Sequence, residues 1–444
     1  MKVEIEVISN EIIKPSSPTP EHLRHYQLSF LDQQSPKTYN PLVLFYDLGV
    51  GHQYDHSNSN EISDKIKKSL SEVLTLFYPL AGRVKKDRFV DCNDEGVSYS
   101  VARVNSSCQL SDAMSSPLPR ELCNFLPFEL HELNEFALGV QLNIFERGGI
   151  AVGLCISHQL ADALSSIIFV KTWVAVARGE ANLVARPEFV SANLFPQVDD
   201  VKFDPNANVT KEAVTKRFVF EAFTIEAIRS KYETKQFSKD EKRPSRIEAL
   251  SAFIWSRFAA VISDEHSTKS EKVYAMFHPV NIRRKLNPPL SEHSFGNLYR
   301  WGFSMFPAST LSCSSSEEYG YETVRKIREG IKKVDMDFLR KVQQGEEEQM
   351  HFIMEYAKEL IMKGGELISF SFTSLCRFPL YDADFGWGTP TWVSSAALAF
   401  NNVVAFMDTK TGNGIEAYIA LKEEHMAMLE ADEDFLVAVS RVGC

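Results

Sequence analysis

One histidine and one carboxylate stand four residues apart where the sequence changes from strand-like to helix-like. His158 follows an apolar run at 150–156 with only Ser157 between them, and Asp162 comes four residues later. A neutral imidazole with a pKa near ~6.5 can take a proton from a hydroxyl group and return it to a leaving group. The pattern makes His158 a candidate general base. Asp162 need not touch its ring if the helix begins only after His158.

Other kinds of chemistry lack the residues that they need. Gly-x-Ser-x-Gly is absent, so a covalent acyl-enzyme has no evident nucleophile. His158 and Asp162 fall short of the roughly three protein ligands of a catalytic zinc site, and His-Glu-x-x-His is absent. Direct general-base catalysis without a metal remains. The alternative is that His158 is simply a buried histidine satisfied by a carbonyl group.

A second unusual string is Asp384-Phe-Gly-Trp-Gly388. Its first three residues match a Mg²⁺-binding string of protein kinases, but no His-Arg-Asp string accompanies them. Gly386 and Gly388 on either side of Trp387 predict a tight backbone path with a large ring held in the core. We expect this string to support the structure and to contribute no catalytic atom.

The elements that would position His158 are a β-hairpin and a helix behind it. Two apolar segments, 136–145 and 149–156, flank Arg147-Gly-Gly149 and predict two antiparallel strands joined by a glycine turn. An apolar helix is predicted at 161–176. In α/β proteins, ligands and catalytic groups collect where strands end, which is where this pattern puts His158.

Length and composition predict two domains of an ordinary globular protein. The chain has 444 residues, more than one hydrophobic core usually serves, with 44% hydrophobic and 24% charged residues. Proline, asparagine and aspartate accumulate at 196–216 with little periodicity. We therefore predict an N-terminal domain at 1–195, a crossover linker at 196–216 and a C-terminal domain at 217–444. Part of the stretch after about 380 is expected to pack with the N-terminal domain.

The charge pattern excludes some partners. The formal net charge is −11, and basic residues form only short runs, so nucleic acid and anionic membranes are poor partners. No apolar run is long enough for a signal peptide or a membrane span. Seven cysteines without Cys-x-x-Cys spacing argue against a disulfide framework and a structural zinc site. These features favour a cytoplasmic protein.

The motifs taken together resemble those of the plant BAHD family of acyl-CoA-dependent acyltransferases. The resemblance covers nearly the whole chain. Its strings, in chain order, are Tyr78-Pro-Leu-Ala-Gly-Arg83, Val90-Asp-Cys-Asn-Asp-Glu-Gly96, His158-x-x-x-Asp162, Asn281-Ile-Arg283 with Pro288-Pro289, Gly296-Asn297 and Asp384-Phe-Gly-Trp-Gly388. The details are similar to family members that acetylate alkaloids.

The resemblance implies an α/β fold with two chloramphenicol-acetyltransferase-like domains, each a mixed β-sheet flanked by helices, and a channel between them. An acyl-CoA, expected to be acetyl-CoA, would enter from one face and a small-molecule alcohol from the other. His158 would deprotonate the alcohol, whose oxygen attacks the thioester, and would then protonate the departing CoA thiolate. The family also suggests a monomer, and no metal is implied.

The resemblance also implies supporting roles for other residues. Asp162 would turn away from the reaction and pair with an arginine, for which Arg283 is the candidate. Thr373 would contact the oxyanion, although Leu375 stands where a tryptophan is frequent in the family. Ser245 and Arg246, at the predicted start of a helix over 244–260, match a region that lines the CoA channel. A helix N-terminus beside a cation suits a phosphate, but an ordinary helix cap would have the same sequence.

Two alternatives to alcohol acylation remain at this level. Transfer to an amine would use the same base and a different acceptor pocket. A catalytically idle family member acting as a binding protein would need a broken His158 or a blocked channel, and both His158 and Asp162 are intact.

Overall fold

Two six-stranded β-sheets, each covered by helices, form the body of the protein in the computed structural model. The structure describes residues 3–48, 56–105, 107–115, 117–199, 204–233, 242–264, 272–307, 316–346 and 348–440. Both sheets contain parallel and antiparallel strand pairs. The prediction of an α/β fold with two mixed sheets is therefore confirmed.

The strands are, in chain order, β1 (Ile5–Ile13), β2 (His25–Gln27), β3 (Tyr39–Tyr46), β4 (Arg83–Lys85), β5 (Phe89–Asp91), β6 (Val97–Val104), β7 (Leu138–Phe145), β8 (Ile150–Ser157), β9 (Val214–Phe220), β10 (Lys272–Asn281), β11 (Tyr299–Pro307), β12 (Glu366–Ser374), β13 (Trp392–Ser394), β14 (Val403–Asp408) and β15 (Ile415–Leu421). The first sheet has the order β1-β6-β7-β8-β3-β13, and the second has the order β11-β10-β12-β14-β15-β9. A three-stranded sheet, β2-β5-β4, accompanies the first.

The α-helices are, in chain order, α1 (Phe30–Gln33), α2 (His56–Leu76), α3 (Leu110–Ser115), α4 (Pro119–Leu122), α5 (Ala163–Ala177), α6 (Ser191–Leu194), α7 (Ala222–Lys231), α8 (Arg246–Asp264), α9 (Ser316–Lys332), α10 (Met336–Gln343), α11 (Glu348–Met362), α12 (Glu423–Ala431) and α13 (Glu433–Ala438). In the described ranges, no helix is both long and apolar enough to cross a membrane.

The hairpin that carries the candidate base lies at the centre of the first sheet. All eight residues of β7 and all eight of β8 are buried, because apolar groups cover both faces of these strands. The two strands are antiparallel, and the chain turns between them at Gly148 and Gly149 with φ of 103° and 89°. Helices α2 and α5 pack on one face, where Phe77, Phe169 and Trp173 are fully buried. The hairpin prediction is confirmed.

The chain after about residue 380 contributes to both sheets. Strand β13 pairs with β3 at the edge of the first sheet, whereas β14 and β15 belong to the second. Trp392 of β13 donates its indole N–H to the Glu416 carboxylate of β15 (3.1 Å), and Arg217 of β9 pairs with the same carboxylate (3.1 Å). This buried network joins the two sheets. Strand β9 begins at Val214, inside the segment that we interpreted as the linker.

Side-chain caps set the N-terminal ends of helices α8 and α5. Helix α8 begins at Arg246 behind a reciprocal cap, because Ser245 Oγ accepts from the Glu248 N–H (3.2 Å) and the Glu248 carboxylate accepts from the Ser245 N–H (2.7 Å). Helix α5 begins at Ala163, two residues later than predicted, because Asp162 caps it by accepting from the Ser165 N–H (2.8 Å).

His278 of β10 is a buried histidine that affects stability. It is 7% exposed and stacks on Phe372 with ring centroids 5.3 Å apart. Among the described residues, its Nε2 has no hydrogen-bond partner. Burial lowers its pKa from 6.5 to about 4. Folded His278 therefore stays neutral over a pH range in which the unfolded chain takes up a proton.

The free energy of unfolding is expected to fall as the pH drops from about 6.5 to about 4, because there the unfolded state binds more protons than the folded state. His278 contributes roughly 3 kcal/mol to this loss. Urea unfolding at neutral and at mildly acidic pH should show a smaller loss for His278→Gln than for the wild type. His22→Gln is a control, since that exposed imidazole is hydrated in both states. An equal loss in His278→Gln and the wild type would contradict the prediction.

Candidate active site

His158 is the first residue beyond β8, and its backbone is held from two sides. Its N–H donates to the carbonyl of Thr38 (2.9 Å), directly before β3. Its carbonyl accepts from the side-chain amide of Asn297 (2.9 Å), in the connection between β10 and β11. The imidazole is partly exposed, so it is not walled in by the core. His158 therefore has a fixed backbone and a ring that solvent can reach.

The protonation state of His158 suits a base. Burial lowers the pKa of the imidazole below 6.5, while its own carbonyl, the Asp162 charge and Asn297 raise the pKa by smaller amounts. The ring is therefore neutral at pH 7 and carries a free lone pair. Its Nδ1 is buried and has no hydrogen-bond partner within the part of the chain that the structure describes.

Asp162 does not share a helix face with His158, because His158 precedes α5 and Asp162 is its N-cap. The carboxylate is 5% exposed and lies against Arg283. Arg283 Nη1 donates to Oδ2 (2.8 Å) and Nη2 to Oδ1 (3.1 Å), which makes a bidentate ion pair. The N–H of Leu298 donates to Oδ2 as well (3.0 Å). The Asp162 carboxylate thus points away from solvent, and both of its oxygens accept hydrogen bonds from protein donors.

Arg283 fixes the loop that faces His158. The guanidinium is 1% exposed, and its Nε donates to the carbonyl of Ser294 (2.9 Å) while Nη2 donates to Ser165 Oγ (3.0 Å). Ser165 Oγ in turn donates to the carbonyl of Gly296 (2.9 Å). Because Ser165 lies on α5 and Arg283 follows β10, the ion pair joins the two sheets beside His158. The structure brings His158, Asp162 and Arg283 together.

The string Asp384-Phe-Gly-Trp-Gly388 forms a turn at the other end of α5. Asp384 Oδ1 accepts from the N–H groups of Gly386 (2.6 Å) and Gly388 (2.9 Å), and these glycines have φ of 102° and 107°. Arg178, just past α5, donates to the Asp384 carbonyl (2.6 Å). Since α5 has 15 residues, this turn is roughly 22 Å from the helix start that holds Asp162. This distance is consistent with the predicted supporting role, which stays a prediction.

The ring that occupies the core at this turn is not the one we expected. Phe385 is fully buried and packs edge-on against Trp173 of α5, with centroids 4.8 Å apart. Trp387 is only partly buried and stacks on Phe385 at 5.2 Å. The sequence suggested the tryptophan as the buried ring because of its size. Trp387 instead packs at the edge of the core, partly exposed but with its Nε1 buried.

Thr373, Ser245 and Arg246 lie on the second sheet and on α8. Thr373 is partly buried on β12, where it pairs with Ala405 of β14. Arg246 is not a free cation, because Nη2 pairs with the Asp408 carboxylate (2.8 Å) and Nη1 donates to the Gly412 carbonyl (3.0 Å). A phosphate at the start of α8 would meet an arginine whose charge is partly compensated.

A row of aromatic side chains that we did not predict from the sequence begins at His158. Tyr299, Trp301 and Phe303 alternate along β11, and each is partly exposed. The Tyr299 ring lies 6.1 Å from the His158 ring and packs edge-on against Trp301 at 5.5 Å. Phe277 of β10 lies 6.1 Å from Trp301. The signal was the alternation at period two directly after Gly296-Asn297. This row gives the site an apolar wall.

A cleft of about 360 Å³ opens beside the end of β8. Both neighbours of His158 in the chain, Ser157 and Gln159, lie in its wall. Lys37, Arg83 and Asp87 also line it. Polar groups thus surround one approach to the strand end, while the aromatic row lies on the other sheet.

Comparison with known proteins matches one family along nearly the whole chain. The model of the Transferase family matches residues 3–436. Stemmadenine O-acetyltransferase of Catharanthus roseus is 34% identical over 443 residues, with 97% of each chain covered. Limonoid 21-O-acetyltransferase of Citrus sinensis is 36% identical over 449 residues, with 99% of each chain covered.

Solved structures agree with the fold. The crystal structure of vinorine synthase superposes with a TM-score of 0.79 at 32% identity, over 98% of this chain and 99% of that chain. TRI101 of F. sporotrichioides, solved with coenzyme A and T-2, has a TM-score of 0.70 at 18% identity, over 94% of this chain and 100% of that chain. The second match supports the fold alone.

Proposed function

The chain belongs to the transferase family of BAHD acyltransferases, and from this premise we propose that it transfers an acetyl group from acetyl-CoA to a hydroxyl group of a plant specialised metabolite. The observation that carries the proposal is the position of His158, a partly exposed residue at the end of a buried central strand; burial lowers the pKa of its imidazole, which favours the neutral base. Asp162 is held by Arg283, which leaves His158 to act as the base.

The reaction needs one proton carrier. His158 Nε2 takes the proton of the acceptor hydroxyl while the oxygen attacks the thioester carbonyl. The tetrahedral intermediate collapses, the carbon–sulfur bond breaks, and the imidazolium gives its proton to the CoA thiolate. The products are an acetate ester and free CoA, and His158 is neutral again. Binding both substrates at one imidazole supplies much of the acceleration, because the attack becomes intramolecular.

The aromatic row suggests the shape of the acceptor. Tyr299 presents a partly exposed ring next to His158, Trp301 packs against Tyr299, and Phe277 packs against Trp301. Aromatic faces bury large apolar areas, so this wall suits the body of a bulky, multi-ring alcohol better than a short linear one. Several relatives are named for acetylation of stemmadenine and of limonoids. An alkaloid or a molecule of similar bulk fits these features.

CoA is proposed to bind between the two sheets, with a phosphate near the start of α8. That helix has 19 residues, and Ser245 and Arg246 lie at its N-terminus. The backbone N–H groups of a helix start attract anions even where the nearby arginine is already paired. Thr373 is the proposed oxyanion donor, since its hydroxyl lies on a strand of the second sheet and Leu375 offers no donor.

The proposal includes the organisation expected from the sequence. The domains are an N-terminal one at 1–195 and a C-terminal one at 217–444, joined by a linker at 196–216, with a channel between them. The enzyme works as a cytoplasmic monomer without a metal. Within the described ranges, the structure holds no group of three or more metal-ligating side chains.

Incubation with acetyl-CoA and a panel of acceptors tests the function. Free thiol should appear only with an alcohol present, and the product should gain one acetyl group by mass. Bulky multi-ring alcohols are expected to have a higher kcat/KM than short linear alcohols. Amines of matched shape serve as controls, because acetylation of amines alone would replace the proposal with N-acyl transfer. No thiol release with any acyl-CoA would overturn it, and ligand binding without turnover would indicate an idle family member.

A further inference from the structure

Two residues of the site that contact each other, His158 and Asn297, each have a buried polar side-chain atom that lacks a hydrogen bond to the described part of the chain. Among the described residues, neither His158 Nδ1 nor Asn297 Oδ1 has a partner. Asn297 is fully buried, and its side-chain Nδ2 already donates to the His158 carbonyl (2.9 Å). Nearly all buried polar groups in proteins have a partner, and leaving one without any costs about 1–3 kcal/mol. The two atoms therefore call for a common explanation.

The orientation of the Asn297 amide is set by its surroundings. Three oxygen atoms converge on Nδ2, which are Asp32 Oδ1 (2.9 Å) and the carbonyls of His158 (2.9 Å) and Gln159 (3.1 Å). A flipped amide would place its oxygen against these three acceptors, so Nδ2 must face them. Oδ1 then points elsewhere, and only a donor can satisfy it.

Asp32 holds Asn297 from behind. Its carboxylate is fully buried, and Oδ1 accepts from both the backbone N–H (3.1 Å) and the side-chain amide of Asn297. Oδ2 accepts from the N–H (2.9 Å) and the Oγ (2.6 Å) of Ser29, in the cap of α1. Four donors thus fix Asp32, and Asp32 fixes Asn297. A side chain anchored in this way is preorganised for one partner.

We propose that Asn297 is a positioning residue for His158. When substrates bind, Asn297 Oδ1 accepts a hydrogen bond from His158 Nδ1–H. This bond keeps the proton of the neutral ring on Nδ1, so that Nε2 remains free. The inference rests on the proposed function, since it explains how His158 is held as a base. Hydrogen bonds of catalytic groups are often long without substrate and tighten in the complex. The bond also strengthens as the ring becomes an imidazolium, because a charged donor binds an acceptor more tightly.

The competing acceptor for Nδ1–H is the carbonyl of His158 itself. That carbonyl already receives Nδ2 of Asn297, which weakens it as an acceptor for the ring. The two assignments differ in what removal of the Asn297 side chain does. If the His158 carbonyl accepts from Nδ1–H, the loss of the Asn297 side chain leaves the tautomer unchanged. If Asn297 Oδ1 accepts from Nδ1–H, its loss removes the bond that keeps the proton on Nδ1.

Asn297→Ala tests the inference against a matched control, Asn143→Ala. Asn143 is also fully buried, and its Nδ2 also donates to main-chain carbonyls, those of Phe125 (2.9 Å) and Ala151 (3.2 Å). Both variants should lower the Tm, because each substitution removes the amide that donates to buried main-chain carbonyls. Only Asn297→Ala should lower kcat, by roughly 10- to 100-fold, the value of a hydrogen bond to a charged group.

The pH profile separates positioning from simple destabilisation. An acceptor at Nδ1 favours the imidazolium, so its removal should move the acid limb of kcat/KM to lower pH. Asn143→Ala should keep the wild-type limb. The charged and titratable groups around the ring are the same in all these proteins: Asp32, Asp162, Arg283, Tyr299 and Arg300. An Asn297→Ala enzyme with the wild-type limb and kcat would overturn the inference.

A measurement on the intact wild type covers the case in which Asn297→Ala does not fold. In spectra of protein labelled with ¹⁵N-histidine, with the His158 signals assigned by their absence in His158→Gln, Nδ1 should carry the proton near pH 7 and Nε2 none. A proton on Nε2 would overturn the inference. Wild-type protein without any acyl transfer would overturn the proposed function and this inference together, whereas an active wild type with the wrong tautomer would overturn the inference alone.

Discussion

Replacing His158 with alanine is expected to lower kcat by roughly 10²- to 10⁴-fold, the range that a general base contributes, and so to leave only background turnover. The affinity for CoA should stay close to that of the wild type, because the proposed phosphate contacts lie at the start of α8. The Tm should change little, since the ring is partly exposed and Nδ1 makes no hydrogen bond with the described residues. Thiol release, CoA titration and thermal unfolding measure the three quantities.

His131→Ala is the matched control for this substitution. His131 is partly buried too, burial lowers its pKa, and its Nδ1 lacks a partner among the described residues. Its replacement should leave kcat unchanged. In the wild type, activity should fall as the pH drops through a value below 6.5, because protonation removes the lone pair of the imidazole. A His158→Ala enzyme that kept a large share of the wild-type kcat would remove the basis of the proposed mechanism.

The sequence was sufficient for the features that depend on neighbouring residues. Alternating and continuous apolar runs predicted the hairpin, and glycines 148 and 149 predicted its turn. The change from an apolar strand to a helix placed His158 at the strand end. The pattern Ser245-x-x-Glu248 predicted the cap of α8. Each of these depends on backbone geometry within a few residues, which the local sequence determines.

The features that the sequence could not supply join distant parts of the chain. Asn297 contacts His158 across 139 positions, and Arg246 contacts Asp408 across 162. Strand β13 returns to the first sheet after four strands of the second; packing of this stretch with the N-terminal domain was expected, but its pairing with β3 was not. No periodicity carries such information, because long-range pairing depends on how the two sheets pack. The aromatic row could be seen as an alternating strand, but its place beside His158 could not.

The site is held together by polar contacts between the two halves of the chain. Asp32 contacts Asn297, and Asp162 contacts Arg283. In each pair, a carboxylate from the first half binds the connection between β10 and β11. The main chain of His158 is attached to the same connection. If these contacts were lost, we expect His158 to shift relative to the aromatic row. The position of the proposed base therefore depends on charged side chains that do not contact the substrate.

Asp162→Asn is expected to lower the free energy of unfolding by about 3–5 kcal/mol, because it leaves the buried guanidinium of Arg283 without its anion. The rate should fall at the same time, since Asp162 holds the connection between β10 and β11 beside His158 through Arg283 Nη2 and the N–H of Leu298. Urea unfolding and kcat/KM measured on the same preparations test both effects. Asp384→Asn is the control, because that carboxylate is more exposed, accepts from backbone N–H groups and has no buried cation to orphan.

A double variant separates support from a proton relay. Replacing both partners, as in Asp162→Asn with Arg283→Met, removes the orphaned charge and should recover part of the stability lost in Asp162→Asn. If Asp162 acts by holding the loop, some of the lost rate should return with the stability. If Asp162 relayed a proton from His158, the double variant would stay inactive however stable it became. Asp162→Asn with wild-type stability and no activity would likewise contradict the supporting role. In that case the activity would depend on the negative charge of Asp162 and not on the stability of the loop that it holds.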